Sequence, residues 1–368
     1  MRLGRHARSE FRSGRDSTHP DHNLPMLPER REDIVTYPAD ANPRLLVIVD
    51  AEEEFDWDKP FSSENRSVTA IAAQTQAQRI FESCRLIPTY AVDFPVASQE
   101  DGYRPLLEML QSGACEIGAQ LHSWVTPPHE EEVNEQSSFT NNLPVDLQRR
   151  KLEALTRTIV ESFGVAPRLY RAGRYGAGEA TASILSDFGY LIDCSVLPGV
   201  TTAPPGPNYE GACAHPYWLA SGRSLLELPV TIGEVGAARG LGRTLYARLA
   251  SPLGRKLKFP AIASRLGILE RVRLTPEGST LAESRRLTRA MLQDGHRVFV
   301  ISYHSPSLVP GHTPYVRDKA DLERFLGWLK GYFEFFLGEL GGSVSTPLAV
   351  REWALQESSD PAGSHAVS

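Results

Sequence analysis

The segment LLVIVDAEEEFDW, residues 45–57, passes without a break from an apolar run into a cluster of acids. Residues 45–49 have the length and composition of a buried strand. Parallel barrels and sheets put their active sites at the carboxyl ends of their strands, which is where Asp50 falls. A carboxylate there serves as a general base or as a ligand of a hard divalent cation. Glu52 shares its side of an extended backbone and joins it as a candidate. Glu53 and Glu54 read as a solvated acidic loop.

Working outward, short apolar runs alternate with longer helical patterns. A helix-like segment at 68–85 precedes a strand at 86–91, and a helix ended by Gly113 precedes a strand at 115–122. A long amphipathic helix at 146–163, closed by Gly164, leads to a strand at 169–172. A helix at 179–188 leads to strands at 190–193 and 225–230. The helix at 279–293 leads to the strand at 298–304, and an aromatic-rich helix spans 321–340. About seven β-then-α units call for parallel strands wrapped by helices, as a barrel or an open sheet. Residues 233–275, rich in Gly, Arg and Leu, break the rhythm and read as a helical insertion with a basic face.

Three further strands end in groups able to do chemistry. In EIGAQLHSW, residues 116–124, period-two alternation sends Gln120 and His122 to one face and Leu121 to the other. A neutral imidazole in that position suits a metal or a proton-transfer role. In YRAGRYG, residues 170–176, Arg171 offers a fixed donor fork for holding a carboxylate, and Gly173 and Gly176 permit a tight turn after it. In ISYHSPSL, residues 301–308, His304 is placed to protonate a leaving group. Asp193, in IDCSV at 192–196, is the candidate to orient such an acid.

Composition removes other classes of function. The chain has 368 residues, 41% of them apolar and 23% charged, as in a soluble globular enzyme. Its 39 basic and 45 acidic residues give a net charge of −6, without the basic surface that a phosphate backbone requires. Nucleic acid is therefore excluded as an expected partner. Cys84, Cys115, Cys194 and Cys213 form no Cys-x-x-Cys pair and read as small buried hydrophobes. No stretch approaches the roughly 20 apolar residues of a membrane span, and the N-terminal region lacks the apolar run of a secretory signal. The expected location is the cytoplasm. Residues 1–43 read as a mobile leader and 356–368 as a mobile tail, framing a single domain at 44–355.

The ordered set of motifs resembles the polysaccharide-deacetylase (NodB-homology) superfamily, and more closely its WalW-like branch. Its carriers are residues 49–57, 116–128, 170–176, 193–196, 227–230 and 302–317, the last including PGHTPYVR. The resemblance implies a distorted (β/α)7 barrel that removes N- or O-acetyl groups from sugars with a divalent metal, zinc or similar. Carried over, Asp50 resembles the family's base, Arg171 the residue that orients it, and His304 the acid. The family's second motif has two histidines four positions apart; here those positions hold Gln120 and Trp124, with His122 between them. The adjacent aspartate pair is replaced by Asp50-Ala51-Glu52. The expected metal ligands are thus Asp50, Glu52 and His122, with Gln120 or His129 assisting.

The leading expectation is a hydrolase of a C–N or ester bond in a carbohydrate. Gln120, Trp124 and Tyr175 are the expected substrate-binding residues, and Trp57 and Trp218 are further aromatic candidates for stacking on a sugar. The altered histidines leave open a catalytically degenerate barrel that binds glycans or a protein. A shared fold also leaves open an amide hydrolase acting on a small non-sugar molecule.

Overall fold

A computed structural model describes residues 26, 28, 30–202, 204–219, 221–241, 246, 249, 256 and 258–359. Strands β1 (Arg44–Ala51), β2 (Thr89–Val92), β3 (Glu116–Leu121), β4 (Leu169–Ala172), β5 (Ile192–Asp193), β7 (Leu226–Glu227) and β10 (Val298–His304) form a curled parallel sheet. Its order is β10-β1-β2-β3-β4-β5-β7, and β6 (Tyr217–Trp218) adds an antiparallel edge beside β7. No ladder joins β10 to β7 among the described residues. Side-chain contacts cross the opening: the Val300 N–H donates to Thr231 Oγ1 at 2.8 Å, and the His215 and His296 rings stack 3.8 Å apart. This is the distorted (β/α)7-type barrel expected from the motifs.

Alternation along β1 explains how the strand serves two surfaces. Leu45, Val47 and Val49 join the core shared with the surrounding helices, while Leu46 and Ile48 join a second cluster with Val298, Val300, Leu169, Ile192 and Leu226. That second cluster is the barrel interior. A C-terminal helix, Pro347–Ser359, supplies Val350, Trp353 and Ala354 to it. Burying each large aliphatic side chain contributes roughly 1.5–3 kcal/mol, so the interior is a packed plug below the strand ends.

Local signals set the element limits. The helix Val145–Phe163 stops at Gly164, whose φ of 71° is the left-handed conformation that glycine adopts freely. The helix Leu281–Gln293 starts on a capping box: Thr280 Oγ1 accepts from the Glu283 N–H, and Glu283 accepts in return from the Thr280 N–H.

Several sequence boundaries shift. Residues 30–43, expected in the leader, are bound to the fold: Val35 donates to the Pro216 carbonyl at 2.8 Å, and the Tyr37 ring lies 3.8 Å from that of Trp353. Two buried side chains, Val35 and Tyr37, are enough to anchor a stretch whose composition is otherwise polar. The C-terminal helix likewise runs past 355 to Ser359. Residues 1–25 of the expected leader and 360–368 of the expected tail lie outside the described residues. The insertion is bounded by strands: β8 (Ile232–Val235) pairs antiparallel with β9 (Glu270–Arg273), and a helix at Phe259–Arg265 lies between them. Part of the expected helical excursion lies outside the described residues.

Candidate active site

The alternation that sends Leu46 and Ile48 inward sends Asp50 inward one step further along β1. Its ladder partner on β10 is His304, and on the far side Gln120 of β3 pairs with Arg171 of β4. These strand ends open into a cavity of about 460 Å³ lined by Asp50, Glu52, Gln120, His122, Arg171 and His304. Trp57, Trp124, Tyr175 and Tyr315 form its aromatic walls. Gly173 permits the close fit: a β-carbon there would lie 2.5 Å from the His122 ring and 2.6 Å from the Leu121 carbonyl.

One side of the cavity is a set of balanced ion pairs. Arg171 Nη1 donates to both Asp50 oxygens, at 2.8 and 3.0 Å, and Nη2 donates to Ser302 Oγ at 3.2 Å. Burial opposes the charge on Arg171, but Asp50 more than offsets it and holds the guanidinium well above its ordinary range. His304 Nε2 lies 4.0 Å from Asp50 Oδ2, and His304 Nδ1 lies 2.8 Å from Glu277 Oε2. Burial alone would discharge His304; Glu277, Glu52 and Asp50 together push it well above the usual imidazole range. Glu277 answers in kind: despite burial, His304 and the hydroxyl of Ser307 hold its carboxyl below the ordinary value. An imidazolium and a carboxylate thus face the same small volume.

The other side has a surplus of acid. Glu53, Asp93 and His122 bring their ligand atoms within 4.8 Å of one another, all buried. Asp93 is already committed: Oδ1 caps the short helix Phe94–Ser98 through the Val96 N–H, and Oδ2 accepts from the Glu53 N–H. Glu53 accepts from Trp124 Nε1 and meets His122 Nδ1, each at 2.7 Å. With Glu53 ionised, as it is above about pH 8, the proton lies on Nδ1 and the Nε2 of a neutral His122 accepts from Gln120 Nε2 at 3.1 Å on the cavity side. Burial, the largest influence, holds His122 below its ordinary pKa and keeps it neutral.

Glu52 lies beyond that nitrogen, with Oε2 3.6 Å from His122 Nε2 and accepting from Gln120 Nε2 at 3.2 Å. Glu52 Oε1 and Gln120 Oε1 are buried and have no hydrogen-bond partner among the described residues. Burial pushes the Glu52 carboxyl up to about 7, outweighing the pull of the His304 imidazolium in the other direction. A neutral imidazole nitrogen, an unsatisfied carboxylate oxygen and an unsatisfied amide oxygen fit a divalent cation. Glu53 is then the carboxylate that orients the ligating histidine. Glu53 and Asp93 do not line the cavity themselves.

Asp50, Glu52, Gln120, His122, Trp124, Arg171, Tyr175 and His304 all line the one cavity. Asp50, expected also as a metal ligand, turns both oxygens to Arg171, which suits it to the role of a base. Trp124 stacks on His122 with ring centroids 4.3 Å apart and is 1% exposed, so it secures the imidazole more than it offers a free face. Trp218 belongs to the barrel interior, away from the cavity. Asp193 does not reach His304. It accepts from Ser195 and pairs with Glu227, and burial raises both of these carboxyls. Glu277 takes the orienting position foreseen for Asp193. Glu53 and Glu54 are not solvated: Glu53 is buried, and Glu54 accepts from Ser67, Thr69 and the Ala70 N–H. Glu277 and Glu53 are the residues that sequence reasoning missed, and the bonding capacity of Trp124 was the one signal pointing to an acid near His122.

No family model and no curated protein matches the sequence. Solved structures do match the fold. A Mycobacterium smegmatis protein described as a polysaccharide deacetylase is 17% identical, with a TM-score of 0.51 over 88% of this chain and 94% of its own. A family 4 carbohydrate esterase from Streptomyces lividans is 8% identical, with a TM-score of 0.40 over 83% of this chain and 93% of its own. The allantoinase PuuE is 13% identical, with a TM-score of 0.45 over 86% and 91%. At the identity and score of the M. smegmatis structure, the likeness establishes a common fold: the chain has the architecture on which that protein is built.

Proposed function

We propose that this chain is a deacetylase-type hydrolase of the polysaccharide-deacetylase superfamily, removing an acetyl or similar acyl group from a carbohydrate. The observation that carries this reading is the meeting of Asp50, Arg171 and His304 in the mouth of one barrel, with the acid and base 4.0 Å apart. Glu52 and His122, with Gln120, would hold a divalent cation, which supplies Lewis-acid polarisation of an acyl carbonyl and a more acidic water. Asp50 accepts the proton of the attacking water. Arg171 holds Asp50 in place through both carboxyl oxygens. His304, kept protonated by Glu277, gives its proton to the departing amine or alcohol. The aromatic walls set by Trp57, Tyr175 and Tyr315 accept the apolar faces of a sugar ring.

The test is acetate release from a panel of acetylated oligosaccharides, using protein stripped of metal and then reloaded with zinc, cobalt or nickel. Metal-dependent release that is lost in Asp50→Asn is expected. A protein that binds no divalent cation and releases no acetate from any member of the panel would remove the reading.

A further inference from the structure

Arg273 is the last residue of β9, so the inserted hairpin delivers it to the cavity wall. The other cations lining that cavity are paired: Arg171 with Asp50 at 2.8 Å, Arg174 with Glu135 at 2.8 Å, and Lys59 with Asp56 at 2.9 Å. Arg271, two positions earlier on the same strand, is paired with Glu234 at 2.7 Å. Arg273 has no carboxylate within 4.0 Å among the described residues. Its hydrogen bond is to the Tyr175 hydroxyl, its guanidinium carbon lies 5.1 Å from the Tyr175 ring centroid, and its buried Nε has no partner among the described residues.

A partly buried guanidinium without a counter-charge is costly, and the cost is repaid when an anion arrives. We propose that Arg273 selects substrates bearing a carboxylate near the scissile acyl group, such as an acylated sugar linked to a uronate. This deepens the hydrolase reading and rests on it for the acyl chemistry, while the anion-binding claim can be measured separately. The fork geometry of arginine favours a planar carboxylate and permits bidentate contact. Tyr175 braces the guanidinium from within the site. Arg174 and Tyr175 hold consecutive left-handed backbone conformations, φ 53° and 60°, which non-glycine residues adopt at a cost, so the brace is a fixed feature of the loop. The insertion therefore contributes to specificity as well as to the surface.

The experiment titrates metal-free protein calorimetrically with three matched acetylated disaccharides that carry a carboxylate, a neutral hydroxymethyl or a sulfate at one position. Wild-type protein should bind the carboxylate form 10- to 100-fold more tightly than the neutral form, and the preference should shrink as ionic strength rises. Arg273→Gln should abolish the preference, Arg273→Lys should keep part of it, and Tyr175→Phe should keep most of it because the charge remains. Equal binding of all three sugars, binding of none, tighter binding of the sulfate, or a preference that survives in Arg273→Gln would each overturn the proposal. Carboxylate-selective binding with no acetate release would instead remove the hydrolase reading and leave the anion site standing.

Discussion

The two sides of the cavity differ in how their charges are settled. Around His304, each charge has an opposite partner: Asp50 holds the Arg171 guanidinium charged, and Glu277 and the imidazolium stabilise each other's ionised forms. Around His122, the acids Glu52, Glu53 and Asp93 surround a ring that burial keeps neutral, and burial raises all of these carboxyls. One side is ready for proton transfer as it stands. The other has the electrostatics of a place where a positive charge belongs. Groups of similar type, a few ångströms apart, thus take different protonation states from their neighbours alone.

Asp50→Asn attacks the balanced side at its centre and carries the largest expected effect. The amide keeps an oxygen for Arg171 but cannot accept a proton, so the hydrolysis rate should fall by roughly 10⁴-fold, the upper range for a general base. Rates measured under metal saturation, with the circular dichroism spectrum as a check on folding, test this. A variant that retains a tenth of wild-type activity would show that the base lies elsewhere. His304→Ala should cost about 10²- to 10⁴-fold. Its signature is a leaving-group dependence: activated aryl esters, which depart without a proton, should lose less rate than amides. Equal losses on both substrates would assign His304 to positioning.

This balanced side was the more legible in the sequence. Asp50 and His304 each follow an apolar strand, and alternation alone puts them on the line of Leu46, Ile48, Val298 and Val300. Arg171 was visible for the same reason. Glu277 was not, because it lies in a turn 27 residues before His304 and no periodicity links the two. On the His122 side, a run of acids looked like a solvated loop. Solvation is the usual fate of such a run, but the backbone after β1 turns Glu53 under Trp124 and His122, where a long-range contact decides its burial. The doubly anchored N-terminal stretch at Val35 and Tyr37 escaped notice likewise, since burial there depends on Trp353 at the other end of the chain.

The cation-poor side can be separated into ligands and supports. Glu52→Ala removes a proposed ligand, whereas Glu53→Gln leaves the ligands and loosens the hold on His122. Outer-shell changes of that kind typically cost 10- to 100-fold in metal affinity, and the loss of Glu52 should exceed it. Competition titrations with a chromophoric chelator measure both. If Glu53→Gln and Asp93→Asn abolish binding while Glu52→Ala does not, the cation belongs to the fully buried triad and the assignment of ligands reverses.

The smallest expected effect is on stability against pH in metal-free protein, and its sign follows from the two sides. Burial raises Glu53 to about 8 and Glu52 to about 7 from an ordinary 4.5, so the folded state holds protons that the unfolded chain has released. Between about pH 4.5 and 8 that difference makes stability fall as pH rises. His304, raised above its ordinary 6.5, contributes stability that is complete below 6.5 and is lost as pH rises through its folded value. Glu277 and His122 act in the opposite sense at the acid end, through a carboxyl held low and an imidazole held neutral. The metal-free protein should therefore be most stable in mild acid, and its melting temperature should fall between pH 6 and 8. A cation that binds the ionised carboxylate competes with those protons, so saturating zinc should flatten the alkaline slope. Melting curves with chelator and with zinc across this range decide it: a metal-free melting temperature that climbs from pH 6 to 8 would mean that the acids around His122 are already compensated, and the contrast between the two sides would fall.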